Sequence, residues 1–172
     1  MSSDAQTFHI LLVEDNAADV YLFREALETA GLNFKLTVIE NGADGLAFAR
    51  RQGEYAASSV PDLAVLDLNL PKIGGASVLE AMRQSRDFER VPVFIMTSSA
   101  LPRERARAME LGVERFITKP LDLEDFLKIG HVVKEVLLKS PGAPAVAGSG
   151  GHTIMLSETT STPSISKPSS RK

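Results

Sequence analysis

Acidic residues follow two apolar runs in this sequence, and their positions suggest metal-assisted chemistry. Glu14 and Asp15 come directly after residues 10–13, and Asp67 comes directly after residues 63–66. If both runs are neighbouring strands of a parallel sheet, the three carboxylates meet at one edge, where each like charge raises the pKa of the others. A divalent cation relieves this repulsion, and hard oxygen ligands suit Mg²⁺, which also accepts phosphoryl oxygens. The pattern therefore indicates phosphoryl transfer onto a carboxylate.

Two further residues with suitable chemistry follow later apolar runs. Thr97 comes after the run at 91–96, and Lys119 comes after the run at 113–118. In doubly wound sheets, ligands bind outside the carboxyl ends of the strands. A hydroxyl donor and an ammonium group beside metal-binding acids would complete a phosphoryl-binding set.

Each of these residues also fits an ordinary structural role when it is considered alone. Asp15 could cap a helix, Asp67 could begin a turn, and Thr97 could simply end a strand. A lysine beside a proline, as at Lys119, is commonplace. Only their joint placement at the ends of four strands favours phosphoryl chemistry.

The elements that must position these residues are visible as alternating periodicities. Apolar runs predict strands at 8–13, 34–39, 63–66, 91–96 and 113–118, and helical spacing predicts helices from Asn16 to Gly31 and at 42–51, 75–85, 102–111 and 122–138. Strands that alternate with helices predict a parallel sheet covered on both faces. Right-handed crossovers then favour a doubly wound α/β fold. Asn16 and Asp19 are predicted to form a capping box at the start of the first helix.

Composition excludes several classes of function. The chain has 172 residues, 44% of them hydrophobic, and no apolar segment of membrane-spanning length, so we expect one soluble domain and no membrane. A net charge of −3 leaves no broad basic surface, which disfavours nucleic-acid binding. The absence of cysteine rules out disulfides, thiol nucleophiles and Cys-ligated zinc. No signal peptide is visible, so a cytoplasmic location is expected.

The composition changes after Lys139. Residues 140–172 are dominated by Ser, Thr, Pro, Gly and Ala, which predicts a flexible tail without an output domain. The expected organisation is therefore a domain at 1–139 and a tail at 140–172. A short apolar island at 152–156 could bind a partner's sheet or groove. A few hydrophobic residues within a disordered segment is the commoner interpretation.

The motifs at the strand ends closely resemble the receiver domain of two-component response regulators. The resemblance rests on residues 10–16, 67–71 with Gly75, 97–99 and 118–120, and it extends from about residue 8 to residue 138. It implies the flavodoxin-like strand order 2-1-3-4-5. It also implies that Asp67 is the phosphoacceptor.

The resemblance implies a role for the other site residues as well. Mg²⁺ would be held by Glu14, Asp15, Asp67 and the backbone carbonyl of Asn69. Thr97 would contact the phosphoryl group and Lys119 would pair with it. The peptide bond before Pro120 would be cis.

A switch is also implied by the resemblance. When Thr97 moves toward the phosphoryl group, Phe116 would turn inward and reshape the surface of the fourth helix, fifth strand and fifth helix. An ordinary core or surface aromatic is nearly as good an interpretation of Phe116. Asn69 and Ser99 would tune hydrolysis of the phosphoryl group.

Partners follow from a narrower resemblance. The stretch at 68–72, the extended loop before Asp62 and the lack of an output domain look like the single-domain regulators that partner phytochrome-type histidine kinases. We therefore expect a histidine kinase, such as a bacteriophytochrome, as partner, and a homodimer through the last strand and helix. The protein would be a phosphoacceptor rather than an enzyme.

Two alternatives differ in class. The first is an interaction module of receiver shape that signals without phosphorylation. The second is a small phosphatase with an aspartate nucleophile, which would need a general acid where Asn69 stands.

Overall fold

Residues 6–139 are described by a computed structural model, and they form a five-stranded parallel sheet with helices on both faces. The strands are β1 (Phe8–Val13), β2 (Phe34–Ile39), β3 (Leu63–Leu66), β4 (Val93–Thr97) and β5 (Arg115–Thr118). The α-helices are α1 (Ala17–Thr29), α2 (Gly42–Ala49), α3 (Gly75–Gln84), α4 (Pro102–Glu110) and α5 (Leu123–Lys139). The strand order is β2-β1-β3-β4-β5, which confirms the predicted doubly wound fold.

Two strands begin later than their apolar runs predicted. The structure starts β4 at Val93 rather than at Val91, and it starts β5 at Arg115 rather than at Val113. Both earlier valines are buried, but their backbone N–H groups bond to turns, from Val91 to the carbonyl of Phe88 and from Val113 to that of Ala108. These two valines are therefore buried without pairing in the sheet, which is why the strands begin two residues later than predicted.

The core is divided by the sheet into two layers. Side chains of adjacent residues in a strand point to opposite faces. In β1, Leu11 and Val13 pack in the layer with α2, α3 and α4, whereas Ile10 and Leu12 pack in the layer with α1 and α5. Burying each such side chain stabilises the fold by about 1.5–3 kcal/mol. The central strands are therefore held firmly from both sides.

The two helices of one layer, α1 and α5, approach each other closely at Gly130. A Cβ atom on Gly130 would lie 1.9 Å from the carbonyl oxygen of Ala26, closer than any real contact of this kind. Only a residue without a side chain fits there. This contact sets how closely α1 and α5 pack against each other.

The strand register aligns the predicted site residues. Val13 of β1 pairs with Leu66 of β3, so Glu14 and Asp67 leave their strands side by side. The backbone N–H of Asp67 donates to the carbonyl of Val13 over 3.0 Å. Because β1 lies between β2 and β3, this point is where the direction of strand order reverses.

Other expectations from the sequence have mixed outcomes. The Lys119–Pro120 bond is trans, like every peptide bond in the described residues, so the expected cis bond is wrong. Lys119 already reaches the acidic residues with a trans bond. Within residues 6–139, no helix combines the length and apolar character needed to cross a bilayer. The predicted tail at 140–172, with its apolar island, lies outside the described residues.

Replacing Gly130 with alanine tests the close approach of α1 and α5. Alanine in a helix interior normally stabilises it by about 1 kcal/mol relative to glycine. Here we expect Gly130→Ala to lower the free energy of unfolding by about 1–3 kcal/mol, because the added Cβ meets a backbone oxygen. The measurement is urea unfolding followed by circular dichroism.

Gly45→Ala is the matched control within α2. There an added Cβ meets only methyl groups of Val78 and Val13, at 3.1 and 3.2 Å, which can shift. We expect a smaller effect than at Gly130. A gain in stability for Gly130→Ala would contradict the close packing of the helices.

Candidate functional site

Three carboxylates meet at the carboxyl edge of the sheet. Oxygen atoms of Glu14, Asp15 and Asp67 lie within 4.8 Å of one another. The side chains of Glu14 and Asp67 are 0% and 5% exposed, while Asp15 is exposed to solvent. The structure therefore brings together the three acids that the sequence singled out.

The ammonium group of Lys119 lies among these acids. Its Nζ donates to Glu14 Oε2 over 2.7 Å, to Asp67 Oδ2 over 2.8 Å and to Asp19 Oδ2 over 2.7 Å. An ammonium group has three N–H donors, so all of them are used. As predicted, Lys119 lies beside the acidic cluster. It also binds Asp19, an acid outside that cluster.

Burial and ion pairing have opposite effects on the pKa values of these groups. For Lys119, burial lowers the pKa, but hydrogen bonds to Asp19, Asp67 and Glu14 outweigh it and raise the pKa above its usual value. For Glu14, burial raises the pKa, and the hydrogen bond from Lys119 only partly opposes it. The charge of Asp67 is a smaller cause of the rise at Glu14. Burial therefore raises the pKa of Glu14 more than does the repulsion between carboxylates that the sequence predicted.

The second oxygen of each buried carboxylate is held by the backbone. Glu14 Oε1 accepts from the N–H of Asn16 over 3.0 Å, and Asp67 Oδ1 accepts from the N–H of Asn69 over 2.9 Å. Both bonds join a residue to the N–H two positions later, so the loop after each strand orients the carboxylate. Each carboxylate thus keeps a fixed direction toward Lys119.

Thr97 is fully buried at the end of β4 and is linked to the site through Asn69. Its Oγ1 accepts from the side-chain amide of Asn69 over 3.3 Å and from the backbone N–H of Ser99 over 3.2 Å. Asn69 Nδ2 also donates to Ser98 Oγ over 3.2 Å. The side chain of Asn69 therefore joins the loop after β3 to the loop after β4.

Gly75 allows the start of α3 to lie against the acidic site. A Cβ atom on this residue would be 2.0 Å from the backbone oxygen of Asp67. The N–H of Gly75 donates to the carbonyl of Leu68 over 3.3 Å, which closes the loop between β3 and α3. The glycine thus sets how tightly this loop surrounds Asp67.

The structure does not bring Phe116 into the acidic cluster. This residue pairs with Ile95 across β4 and β5, and its side chain is partly buried. The guanidinium of Arg105 in α4 lies 5.4 Å from the centre of its ring. Phe116 therefore connects β5 to α4, away from the carboxylates.

Sequence reasoning missed the part that Asp19 plays in the site. Asn16 caps α1 as predicted, since its side chain accepts from the N–H groups of Ala18 and Asp19. The Asp19 carboxylate, however, binds Lys119 instead of completing the capping box. The sequence carries no separate signal for this contact, because an acid three residues after an N-cap fits a capping box equally well.

The residues of the cluster fit a divalent cation of the Mg²⁺ type. The available ligand atoms are carboxylate oxygens, which suit a hard cation. They come from two adjacent strand ends and already lie close together without rearrangement of the backbone. One of the acids, Asp15, is open to solvent, so an ion can enter with part of its water shell.

Comparisons with known proteins agree with this geometry. The family model for the response regulator receiver domain matches residues 10–130. The response regulator Rcp1 of Synechocystis sp. is 38% identical over 136 residues, which cover 79% of this chain and 92% of Rcp1.

Two solved structures are similar to this chain over most of its length. A phosphorylated cyanobacterial phytochrome response regulator, RcpA, is 34% identical with a TM-score of 0.73, covering 81% of this chain and all of RcpA. The Mn²⁺-bound form of Rcp1 is 37% identical with a TM-score of 0.71, covering 80% of this chain and 99% of Rcp1.

Replacing Lys119 with methionine tests the charge balance of the site. Methionine keeps much of the side-chain volume but leaves the buried carboxylates of Glu14 and Asp67 without their ammonium partner. Removing one partner of a buried ion pair costs about 3 kcal/mol or more. We expect Lys119→Met to lower the free energy of unfolding by roughly this amount in EDTA, and Mg²⁺ to recover part of the loss.

Lys128→Met is the matched control. Lys128 is exposed and pairs only with Asp125 on the surface of α5, where an ion pair contributes little. Thermal unfolding of both variants, with EDTA and with Mg²⁺, makes the comparison. An equal effect of the two substitutions would show that Lys119 does not balance the buried acids.

Proposed function

The chain belongs to the response regulator receiver domain family, and on this basis we propose that it is a signalling protein whose Asp67 accepts a phosphoryl group from a histidine kinase. The observation that carries the proposal is the meeting of Asp67 with two further acids and Lys119 at the strand ends. The carboxylate of Asp67 is oriented by Asn69 and lies at the point of the sheet where ligands bind in such folds.

The proposed reaction transfers a phosphoryl group between two side chains. A carboxylate oxygen of Asp67 attacks the phosphorus, an O–P bond forms, and the N–P bond to the kinase histidine breaks. The electron pair of that bond stays on the imidazole nitrogen. The product is an aspartyl phosphate on this chain, so the protein modifies itself and turns over no other substrate.

The residues around Asp67 are suited to neutralise the incoming charge. When bound by Glu14, Asp15, Asp67 and the carbonyl of Asn69, Mg²⁺ would screen the repulsion between the carboxylate and the anionic phosphoryl group. Lys119 would exchange its bond to Asp67 for one to a phosphoryl oxygen. The hydroxyl of Thr97 would donate to another phosphoryl oxygen.

A short path leads from Thr97 to α4. Thr97 Oγ1 accepts from the N–H of Ser99, and the hydroxyl of Ser99 donates to the carboxylate of Glu104 in the first turn of α4. A shift of Thr97 toward the phosphoryl group would therefore disturb the loop that holds this turn. This supports α4 as the element that responds first.

Weak packing of α4 also supports this proposal. The structure describes every residue of α4, and only one of them, Ala108, is buried. A cavity of about 320 Å³ lies between α3 and α4. Its lining consists of five apolar residues, Leu68, Ala76, Leu79, Ala108 and Leu111, and three charged residues of α4, Arg103, Glu104 and Arg107. We propose that α4, β5 and α5 form the surface that changes, with Phe116 turning inward as Arg105 leaves its ring.

A phytochrome-type histidine kinase is the proposed phosphoryl donor. Support comes from the similarity to RcpA, a phytochrome response regulator, over 81% of this chain. We propose the cytoplasm as the site of action. We further propose a homodimer through β5 and α5, and a division of the chain into a receiver domain at 1–139 and a tail at 140–172.

The alternative functions have less support. A phosphatase with Asp67 as nucleophile would need a carboxylic acid nearby to protonate the leaving group, and the residue at position 69 is an asparagine. A module that signals without phosphorylation has no need for a lysine bonded to three acids.

Incubation with acetyl phosphate and Mg²⁺ tests phosphoryl acceptance. Intact-mass measurement should show the addition of one phosphoryl group, labile to hydroxylamine as an acyl phosphate. Asp67→Asn should abolish the adduct, whereas Asp62→Asn, at an exposed residue before β3, should leave it unchanged. A phytochrome-type kinase should transfer phosphate to the same residue. Sustained release of phosphate from a phosphomonoester would instead favour the phosphatase.

Substitution of Thr97 separates acceptance from signalling. Thr97→Ala removes the hydroxyl, so we expect phosphorylation of Asp67 to continue, while amide NMR shifts on α4 and β5 that follow phosphorylation largely disappear. Thr97→Ser keeps the hydroxyl and should retain those shifts. Equal shifts in the alanine and serine variants would contradict the proposed path through Thr97.

A further inference from the structure

Asp19 binds Lys119 but is not part of the carboxylate cluster that fits a cation. The cluster consists of Glu14, Asp15 and Asp67. Asp19 lies in the first turn of α1, and its carboxylate, 20% exposed, is 2.7 Å from Lys119 Nζ. The capping function expected of it is fulfilled without its side chain, because Glu14 Oε1 accepts from the N–H of Asn16 instead. This carboxylate therefore has a partner but no role in the proposed chemistry.

Lys119 and a cation need the same oxygens. Glu14 Oε2 and Asp67 Oδ2 accept from Lys119, while the other oxygen of each carboxylate accepts from a backbone N–H. An ion entering the cluster must share or displace the bonds of Lys119 to these two acids. The bond to Asp19 is the one bond of Lys119 that such an ion does not contest.

We propose that Asp19 is a positioning residue that keeps Lys119 beside the site while a divalent cation takes over the oxygens of Glu14 and Asp67. With Asp19 present, the ammonium keeps a charged partner when it yields those oxygens. Without Asp19, Lys119 would have to lose its partners or compete with the cation for them. Asp19 thus favours cation binding by lowering the competition from Lys119, and it keeps the lysine near an incoming phosphoryl group.

This inference deepens the proposed function by naming a residue that regulates access of the cation to the same site. It relies on the proposed function only for the binding of Mg²⁺ to the acidic cluster. Acceptance of a phosphoryl group is not needed for its test. The two proposals can therefore fail separately.

Calorimetric titration with MgCl₂ of the full chain and of four variants tests the role of Asp19. The variants are Asp19→Asn, Asp19→Glu, Lys119→Met and the double substitution of Asp19→Asn with Lys119→Met. We expect Asp19→Asn to weaken Mg²⁺ binding roughly three- to tenfold, a coupling usual for residues in direct contact. Asp19→Glu, which keeps the charge, should recover most of the affinity.

The decisive comparison is Asp19→Asn in a chain that lacks Lys119. In the Lys119→Met background, Asp19→Asn should change the affinity by less than roughly twofold, because the competitor is gone. An equal weakening in both backgrounds would mean that Asp19 acts through space on the cation, and it would overturn the proposal. No weakening in either background would overturn it as well.

Two controls separate the contact with Lys119 from a general loss of negative charge and from unfolding. Glu28→Gln removes the same charge from an exposed position of α1, nine residues after Asp19 and about 13 Å along the helix, and should leave the affinity unchanged. The titrations are made at 0.15 M salt, where charges more than about 8 Å apart are largely screened. A thermal melt shows that each variant is folded.

The outcomes for the two proposals are distinguishable. If the unmodified chain binds no Mg²⁺, the proposed function fails. If it binds Mg²⁺ and Asp19→Asn binds it equally well, only the role of Asp19 fails. If Asp19→Asn weakens Mg²⁺ binding, it should also slow phosphoryl uptake from acetyl phosphate, and saturating Mg²⁺ should restore the rate. Intact-mass assays measure this uptake.

Discussion

The balance of charge at the carboxyl edge of the sheet is the constraint on which the site depends. The carboxylates of Glu14 and Asp67 are almost fully buried, and an unpaired buried charge is very costly. Each is compensated by one backbone N–H and by the ammonium of Lys119. A cation bound there would displace part of this compensation and would itself supply the positive charge. One form of neutralisation would thus be exchanged for another.

The fold provides a rigid base for this exchange and a looser element beside it. The strands β1 and β3 that end at the acids are buried on both faces, and α1 is held against α5 at Gly130. By contrast, α4 buries only Ala108 within its described length. The charged groups thus rest on firmly packed strands, while the α-helix that buries the fewest residues is the one whose displacement would cost least.

Much of the fold could be predicted from the sequence because its buried strands are continuous apolar runs. The bounds of β1, β2 and β3 agree with those runs, and the acids at their ends meet as expected. The starts of β4 and β5 could not be predicted, since Val91 and Val113 are buried in turns and a run of apolar residues does not distinguish burial in a turn from pairing in a sheet.

The partner of Asp19 could not be predicted for a different reason. An acid three residues after an N-cap has the same sequence signature whether it caps the helix or points to a lysine a hundred residues later. The trans bond at Lys119–Pro120 is likewise a property of the folded chain that residue types do not encode.

The hydrogen bonding of Thr97 is suited to the proposed response of the site to phosphorylation. Its hydroxyl oxygen accepts from Asn69 and from Ser99, and its own proton can point to a new acceptor. A phosphoryl oxygen on Asp67 would be a charged acceptor, and bonds to charged groups are roughly twice as strong as neutral ones. The bonds that Thr97 accepts are long, at 3.3 and 3.2 Å, so a bond from its hydroxyl to a charged phosphoryl oxygen would be the strongest of the three. The proposed response would therefore follow from the difference in strength between these bonds, without strain in the buried strands.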